Sequence, residues 1–319
     1  MVRILRSMLY VPANSWRMIT TAVSEGADAV ILDLEDGCPM TEKETGRVFA
    51  RDSLPMLKEQ GLEVYVRVNS LETGLPEIDI SYVVTQGLDG IMLAKTESEE
   101  DIISLDELIE KEEQKKALES NNITLIALIE TPRGILNLPQ IIAASQRVEA
   151  IAFGAGDFSR EMGAGMGVTK LSPEEYFPMV LHARSSIAIA ARAAGIQAID
   201  TPFFGLVIDL EGLARESEKA KLLGFSGKQV THPRHVAVVN ECFSPAREDV
   251  DFAKQVAEAY DAARAKGLGA TTLGGKMIDY GSFKRAEGLL LLAEAIEKKE
   301  KKKSEKQSRW RSNFSNSPV

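Results

Sequence analysis

Short apolar, β-branched runs alternate along the chain with longer stretches whose apolar residues recur at helical spacing. The runs are SMLYVP (7–12), DAVILDLED (28–36), EVYVRVN (63–69), DGIMLAK (89–95), ITLIALIE (123–130), AIAFGAGD (150–157), QAIDTPF (197–203) and FSGKQVTHP (225–233). Near-continuous hydrophobic strands, each followed by a helical pattern, build parallel sheets through βαβ units. Eight such units predict an α/β fold, a closed (β/α)8 TIM barrel rather than an open sheet, and residues 1–242 are assigned to it.

Beyond the barrel the pattern changes. Two amphipathic helices are expected, one from Pro245 to Lys266 and one from Asp279 to Glu297, with the glycine-rich stretch GLGATTLGGKM (267–277) between them as a flexible joint. Such joints beside helices suit a lid or an arm, so residues 243–297 are read as a C-terminal helical lid. The final stretch, KKEKKKSEKQSRWRSNFSNSPV (298–319), is polar and low in complexity, and disorder is expected there.

Composition narrows the function classes. With 38 Lys and Arg against 47 Asp and Glu, the net charge is −9, which argues against broad binding to nucleic acid or to an anionic membrane. Residues 298–319 carry eight basic and two acidic side chains, a net of +6, which leaves −15 on residues 1–297. Only Cys38 and Cys242 occur, without CxxC spacing or a Cys/His cluster, so neither a disulfide scaffold nor a structural zinc site is expected. No run of about 18 apolar residues appears and the N-terminus lacks a signal-peptide core, so a cytoplasmic protein without membrane partners is expected.

Polar residues gather where the strands end, as in Leu32-Asp33-Leu34-Glu35-Asp36, Val66-Arg67-Val68-Asn69, Ile129-Glu130 and Gly156-Asp157. Singly, each reads as a helix N-cap or a solvated turn. A barrel, however, collects the carboxyl ends of its strands on one functional face. Glu130 and Asp157 are expected to end the neighbouring strands five and six, where two carboxylates either share a proton or hold a cation. Hard oxygen donors without a nearby histidine favour Mg²⁺, with Mn²⁺ as the alternative ion. Arg67, inside an otherwise apolar run, suits a carboxylate or a developing enolate oxygen, or equally an ion pair with Asp33, Glu35 or Asp36. Lys95 closes strand four, as an electrostatic partner of a metal site or, on other chemistry, a Schiff-base nucleophile.

In order along the chain, LYVPAN (9–14), LDLEDG (32–37), VRVN (66–69), ALIET (127–131), FGAGD (153–157) and KQVTHP (228–233) resemble the citrate lyase β-subunit-like proteins of the HpcH/HpaI aldolase superfamily, which includes malyl-CoA, β-methylmalyl-CoA and citramalyl-CoA lyases. The resemblance implies Mg²⁺ held by Glu130 and Asp157, with Glu130 and Arg67 against the substrate. It also implies a CoA thioester entering over the barrel top, beside Tyr10 and with Arg17 toward the CoA phosphates. GGKMID (274–279) matches the segment from which a neighbouring subunit's lid supplies a catalytic Asp in CoA-dependent members, which selects Asp279 and implies a homo-oligomer, a trimer or hexamer. The implied reaction is Mg²⁺-dependent, reversible carbon–carbon cleavage of a carboxylate-bearing 3-hydroxyacyl-CoA to acetyl-CoA or propionyl-CoA and a 2-oxo acid. Thioesterase or malate-synthase-like chemistry on the same scaffold, or a citrate lyase β-type subunit acting on a carrier-bound acyl group, are the alternatives.

Overall fold

The computed structural model describes residues 3–163 and 173–315. Strands β1 (Ser7–Pro12), β2 (Ala29–Asp33), β3 (Glu63–Val68), β4 (Gly90–Leu93), β5 (Thr124–Ile129), β6 (Val148–Phe153), β7 (Gln197–Asp200) and β8 (Gly227–Val230) run parallel in chain order. β1 pairs with both β2 and β8, so the sheet closes on itself as the expected barrel.

The period-two alternation of strand side chains explains where the polar residues land. Leu9, Val11, Val30, Leu32, Val64, Val66, Ile91 and Leu93 turn outward into the layer shared with the helices. Met8, Ala29, Ile31, Tyr65, Met92, Ile126, Leu128, Ala152 and Ile199 turn inward and fill the barrel. Counting by twos from these inward residues toward the carboxyl ends reaches Tyr10, Asp33, Arg67, Glu130, Gly154 and Thr201, and Gln229 of β8 joins them through Tyr10. Register aligns them, since Asp33 lies opposite Pro12 of β1 and Arg67 of β3.

Between barrel and helices lies a fully buried set of charges. Arg184, on the helix Leu181–Ala194, donates from Nε to Asp200 Oδ1 at 2.8 Å, and Lys228 Nζ donates to Asp200 Oδ2 and Glu216 Oε1, each at 2.7 Å. Two cations and two carboxylates cancel, which is what allows them to sit at 3% exposure or less.

Leu5–Phe243 form one compact unit, and the chain from Ser244 onward, with the segment up to Ile4, forms another. The second unit holds the helix Arg247–Arg264, the strands β9 (Thr271–Leu273) and β10 (Lys276–Ile278), and the helix Tyr280–Ser315. Tyr260 stacks on Phe283 at 4.9 Å, in a small core with Ala253, Val256 and Ile278.

Two expectations are corrected here. The stretch expected to be a flexible joint contains an antiparallel hairpin, because Gly274 and Gly275, at φ 56° and 78°, supply the paired left-handed residues that a two-residue turn needs. The disorder expected from residue 298 is replaced by helix through Ser315. Strong helix formers dominate that stretch, Lys298 pairs with Glu294 at 2.6 Å, and Lys303 is buried beside Glu300. Lys299 Nζ also ties the helix to the carbonyl of Ile4 at 2.5 Å. No helix among the described residues is long and apolar enough to cross a membrane.

Candidate active site

The inward-facing polar layer opens into a cavity of about 820 Å³ at the carboxyl ends of the strands, lined among others by Tyr10, Arg17, Asp33, Arg67, Glu130, Asp157, Thr201 and Gln229. Tyr10, Arg17, Arg67, Glu130 and Asp157, five of the six site residues expected from the sequence and the resemblance, therefore share one cavity. The sixth, Asp279, belongs to the other compact unit, where its Oδ1 accepts from the backbone N–H and the hydroxyl of Ser282, both at 2.8 Å. Those two bonds hold its carboxyl below the usual aspartate range, so it is ionised at neutral pH.

Glu130 directly follows β5 and is 2% exposed. Its Oε1 accepts the backbone N–H of Lys95 at 2.8 Å. Close approach of the neighbouring strand needs Gly154, where an added Cβ would come within 2.5 Å of Glu130 Oε2. Burial, then the charges of Asp157 and Glu35, push the Glu130 carboxyl up to about 8. Asp157 does not end strand six as expected: β6 stops at Phe153, and Asp157 sits in the first turn of the helix Ala155–Glu161, paired with Arg160 at 2.5 Å. Gly154 breaks the strand there, and the helix start still delivers the carboxylate to the cavity.

Arg67 makes the ion pair that its sequence context suggested. Nε and Nη2 form a two-pronged bond to Asp33 at 2.7 and 2.6 Å, and Nη1 lies 3.0 Å from Glu35 Oε2. Its guanidinium also lies over the ring of Tyr10, 4.8 Å from the centroid. Asp33 in turn accepts the backbone N–H groups of Glu35 and Gly37 at 2.9 and 2.8 Å, which shapes the turn after β2. Below that turn the buried Lys43 ammonium donates to the Glu35 carbonyl at 2.9 Å and to Asn69 Oδ1 at 2.8 Å. Lys95 Nζ reaches Glu35 Oε1 at 3.4 Å. Arg17 is exposed on the short helix Trp16–Ala22, whose N-terminus Ser15 caps. Cys38 is buried against Gly46.

The donor set fits a hard divalent ion. No group of three or more His, Cys, Asp or Glu side chains suited to a metal occurs among the described residues, so such an ion would take two carboxylates, Glu130 and Asp157, and complete its shell with water or substrate, as Mg²⁺ commonly does.

Against known proteins, the model of the HpcH/HpaI aldolase/citrate lyase family matches residues 6–233. The chain belongs to that family. It is 37% identical over 291 residues to the citrate lyase subunit beta of Haemophilus influenzae, covering 91% of this chain and 97% of that one. To the mitochondrial citramalyl-CoA lyase of Homo sapiens it is 33% identical over 304 residues, 92% of this chain and 87% of the relative. Among solved structures, the CitE protein of Mycobacterium tuberculosis in complex with magnesium, acetoacetate and coenzyme A superposes with a TM-score of 0.72 at 29% identity, covering 90% of this chain and 97% of that one. This family member is accordingly an enzyme of the lyase class.

Sequence reasoning missed the supporting residues Lys43 and Gln229 as site components. For Gln229 a signal existed, since it occupies an inward position at the carboxyl end of β8. Lys43 gave none, because its role depends on carbonyls brought together only by the fold.

Proposed function

We propose that this lyase cleaves, reversibly and with Mg²⁺, a 3-hydroxyacyl-CoA bearing a carboxylate, releasing acetyl-CoA or propionyl-CoA and a 2-oxo acid. The observation that carries the reading is the meeting of Glu130, Asp157 and Arg67 in one cavity, on elements from three different parts of the barrel. Kinship to proteins named citramalyl-CoA lyase and citrate lyase subunit beta, and a CitE relative that holds magnesium and coenzyme A, supports the substrate class.

Glu130 and Asp157 would hold the ion, which would supply Lewis-acid polarisation to a substrate bound beside it. Asp279, ionised and delivered from a partner copy of the chain, takes the hydroxyl proton. As the carbon–carbon bond breaks, its electron pair moves to the carbon next to the thioester, and the new carbonyl leaves as the 2-oxo acid. Arg67, fixed along one edge by Asp33, holds the enolate oxygen until that carbon takes up one proton, which balances the one Asp279 removed from the hydroxyl. Arg17 at the cavity rim and the face of Tyr10 line the approach of the CoA ester.

The test is a screen of malyl-, β-methylmalyl-, citramalyl- and citryl-CoA with the purified chain and Mg²⁺, following 2-oxo acid release, with Glu130→Gln, Asp157→Asn and excess EDTA as controls. Release with one ester, lost in all three controls, supports the reading. Full activity in EDTA sinks the metal assignment. A second reading follows from the 37% identity to a citrate lyase subunit beta: the chain acts on an acyl group attached to a carrier protein. Turnover of a carrier-bound ester but of no free CoA ester selects it.

A further inference from the structure

Arg67 is held along one edge by Asp33 and over one face by the ring of Tyr10, and the second restraint has its own support. The Tyr10 hydroxyl donates to Gln229 Oε1 at 2.8 Å. Met92 Sδ, at 3.3 Å, is the weaker neighbour of the same hydroxyl. Gln229 is 1% exposed, and its Nε2 donates to the carbonyls of Phe153 at 2.8 Å and Asp200 at 3.1 Å. These carbonyls end the neighbouring strands β6 and β7. An amide group has two N–H donors, and both are spent on carbonyls that can only accept. A flipped amide would set its oxygen against two other oxygens, so the fold dictates that Oε1 faces Tyr10.

We propose that Gln229 is a positioning residue for the lyase reaction. Its doubly anchored amide fixes the Tyr10 hydroxyl, the Tyr10 ring fixes the face of the Arg67 guanidinium, and that plane is held ready for the substrate oxygen. The chain of contacts crosses the barrel interior from β8 through β1 to β3, so Gln229 acts on the reaction through Tyr10 and Arg67. This inference rests on the role proposed above for Arg67. It goes beyond that role by assigning a purpose to a buried amide from which no proton or electron is asked.

The experiment measures kcat and KM of the full chain, with Mg²⁺ and the ester turned over in the screen, for Gln229→Met, Tyr10→Phe and the double variant. Misplacing a preorganised group costs about tenfold to a hundredfold. Gln229→Met is expected to lower kcat by that factor, with a smaller change in KM, and to add almost nothing in the Tyr10→Phe background, since both act through one contact. Gln229→Glu keeps an oxygen for Tyr10 but loses both donors, and is expected to be as damaging as Gln229→Met. Crystal structures of the Gln229 variants give a readout independent of turnover: the Tyr10 ring is expected to leave its place under Arg67. Equal losses from Gln229→Met in both Tyr10 backgrounds, or an undisturbed Tyr10–Arg67 pair, overturn the proposal. Arg67→Ala separates the two layers. If it stays active, the role of Arg67 fails; if it is dead while Gln229→Met keeps wild-type kcat, only the positioning role fails.

Discussion

Lys95 hands its backbone N–H to Glu130 Oε1 at 2.8 Å from a left-handed conformation, φ 53°. A non-glycine residue there carries a conformational cost, and the acceptor is a proposed metal ligand. Lys95→Gly keeps the donor and removes the strain, so its thermal midpoint is expected at or near wild type. Lys95→Val places a β-branched residue at positive φ, and its stability should drop by about 1–2 kcal/mol. Borohydride with a 2-oxo acid should trap no adduct on Lys95, since the proposed metal-based reaction leaves its amine without a covalent role.

The Glu130 carboxyl sits at about 8 when folded, against about 4.3 in an unfolded chain. In the metal-free protein the folded state binds that proton more tightly, so this group's stabilising effect is complete below about pH 4 and is lost as pH rises toward 8. The slope reaches about 1.4 kcal/mol per pH unit at most. Denaturant midpoints measured in EDTA from pH 5 to 8 should show Glu130→Gln gaining on wild type as pH rises. Parallel curves would mean that Glu130 is ionised throughout.

Arg67→Lys is expected to be nearly as inactive as Arg67→Ala, because a point charge does not reproduce the fork that meets Asp33. Losing one preorganised donor to a developing charge costs about 2.7–4 kcal/mol of transition-state stabilisation, read from kcat/KM. Arg67→Ala should also lower the thermal midpoint more than Arg67→Lys does, since it leaves the buried Asp33 carboxylate without its cation. A lysine variant with near-normal kcat/KM would make Arg67 a purely structural partner.

Gly154→Ala should silence the enzyme without unfolding it. The added Cβ would lie 2.5 Å from Glu130 Oε2 and 2.6 Å from Glu130 Cβ, so the carboxylate has to swing away. Overpacking of this kind costs about 1–3 kcal/mol. Mg²⁺ titration by calorimetry should show weakened binding, and unchanged affinity would separate Glu130 from the metal.

Asp279, on the unit that follows the barrel, is expected to serve a partner copy. Mixing inactive Asp279→Asn chains with inactive Glu130→Gln chains, after dissociation and reassembly confirmed by a tagged-pair pulldown, should restore part of the activity. Mixed oligomers as dead as either parent would exclude action in trans.

The eight strands were legible because parallel strands buried on both faces are written as continuous apolar runs, and Arg67 and Glu130 were legible because charge interrupts those runs. Asp157 was found on the wrong element: FGAGD reads as a strand end, yet the backbone turns helical right after Gly154. The hairpin at Gly274-Gly275 was missed because a glycine pair was taken for slack when it also satisfies a tight turn. Helix through Ser315 was missed because polar composition outweighed the Lys–Glu spacing. Contacts such as Lys43 to the Glu35 carbonyl and Gln229 to Tyr10 join distant segments, and no local pattern announces them.

The buried set of Arg184, Asp200, Glu216 and Lys228 also bears on how this sequence can change over generations. Each cation contacts both carboxylates, so replacing any one of the four strands an uncompensated charge in a place water does not reach. Drift at these positions must be concerted: a substitution survives only with a matching one across the layer. In descendants of this chain the four residues should therefore be inherited, or exchanged, together.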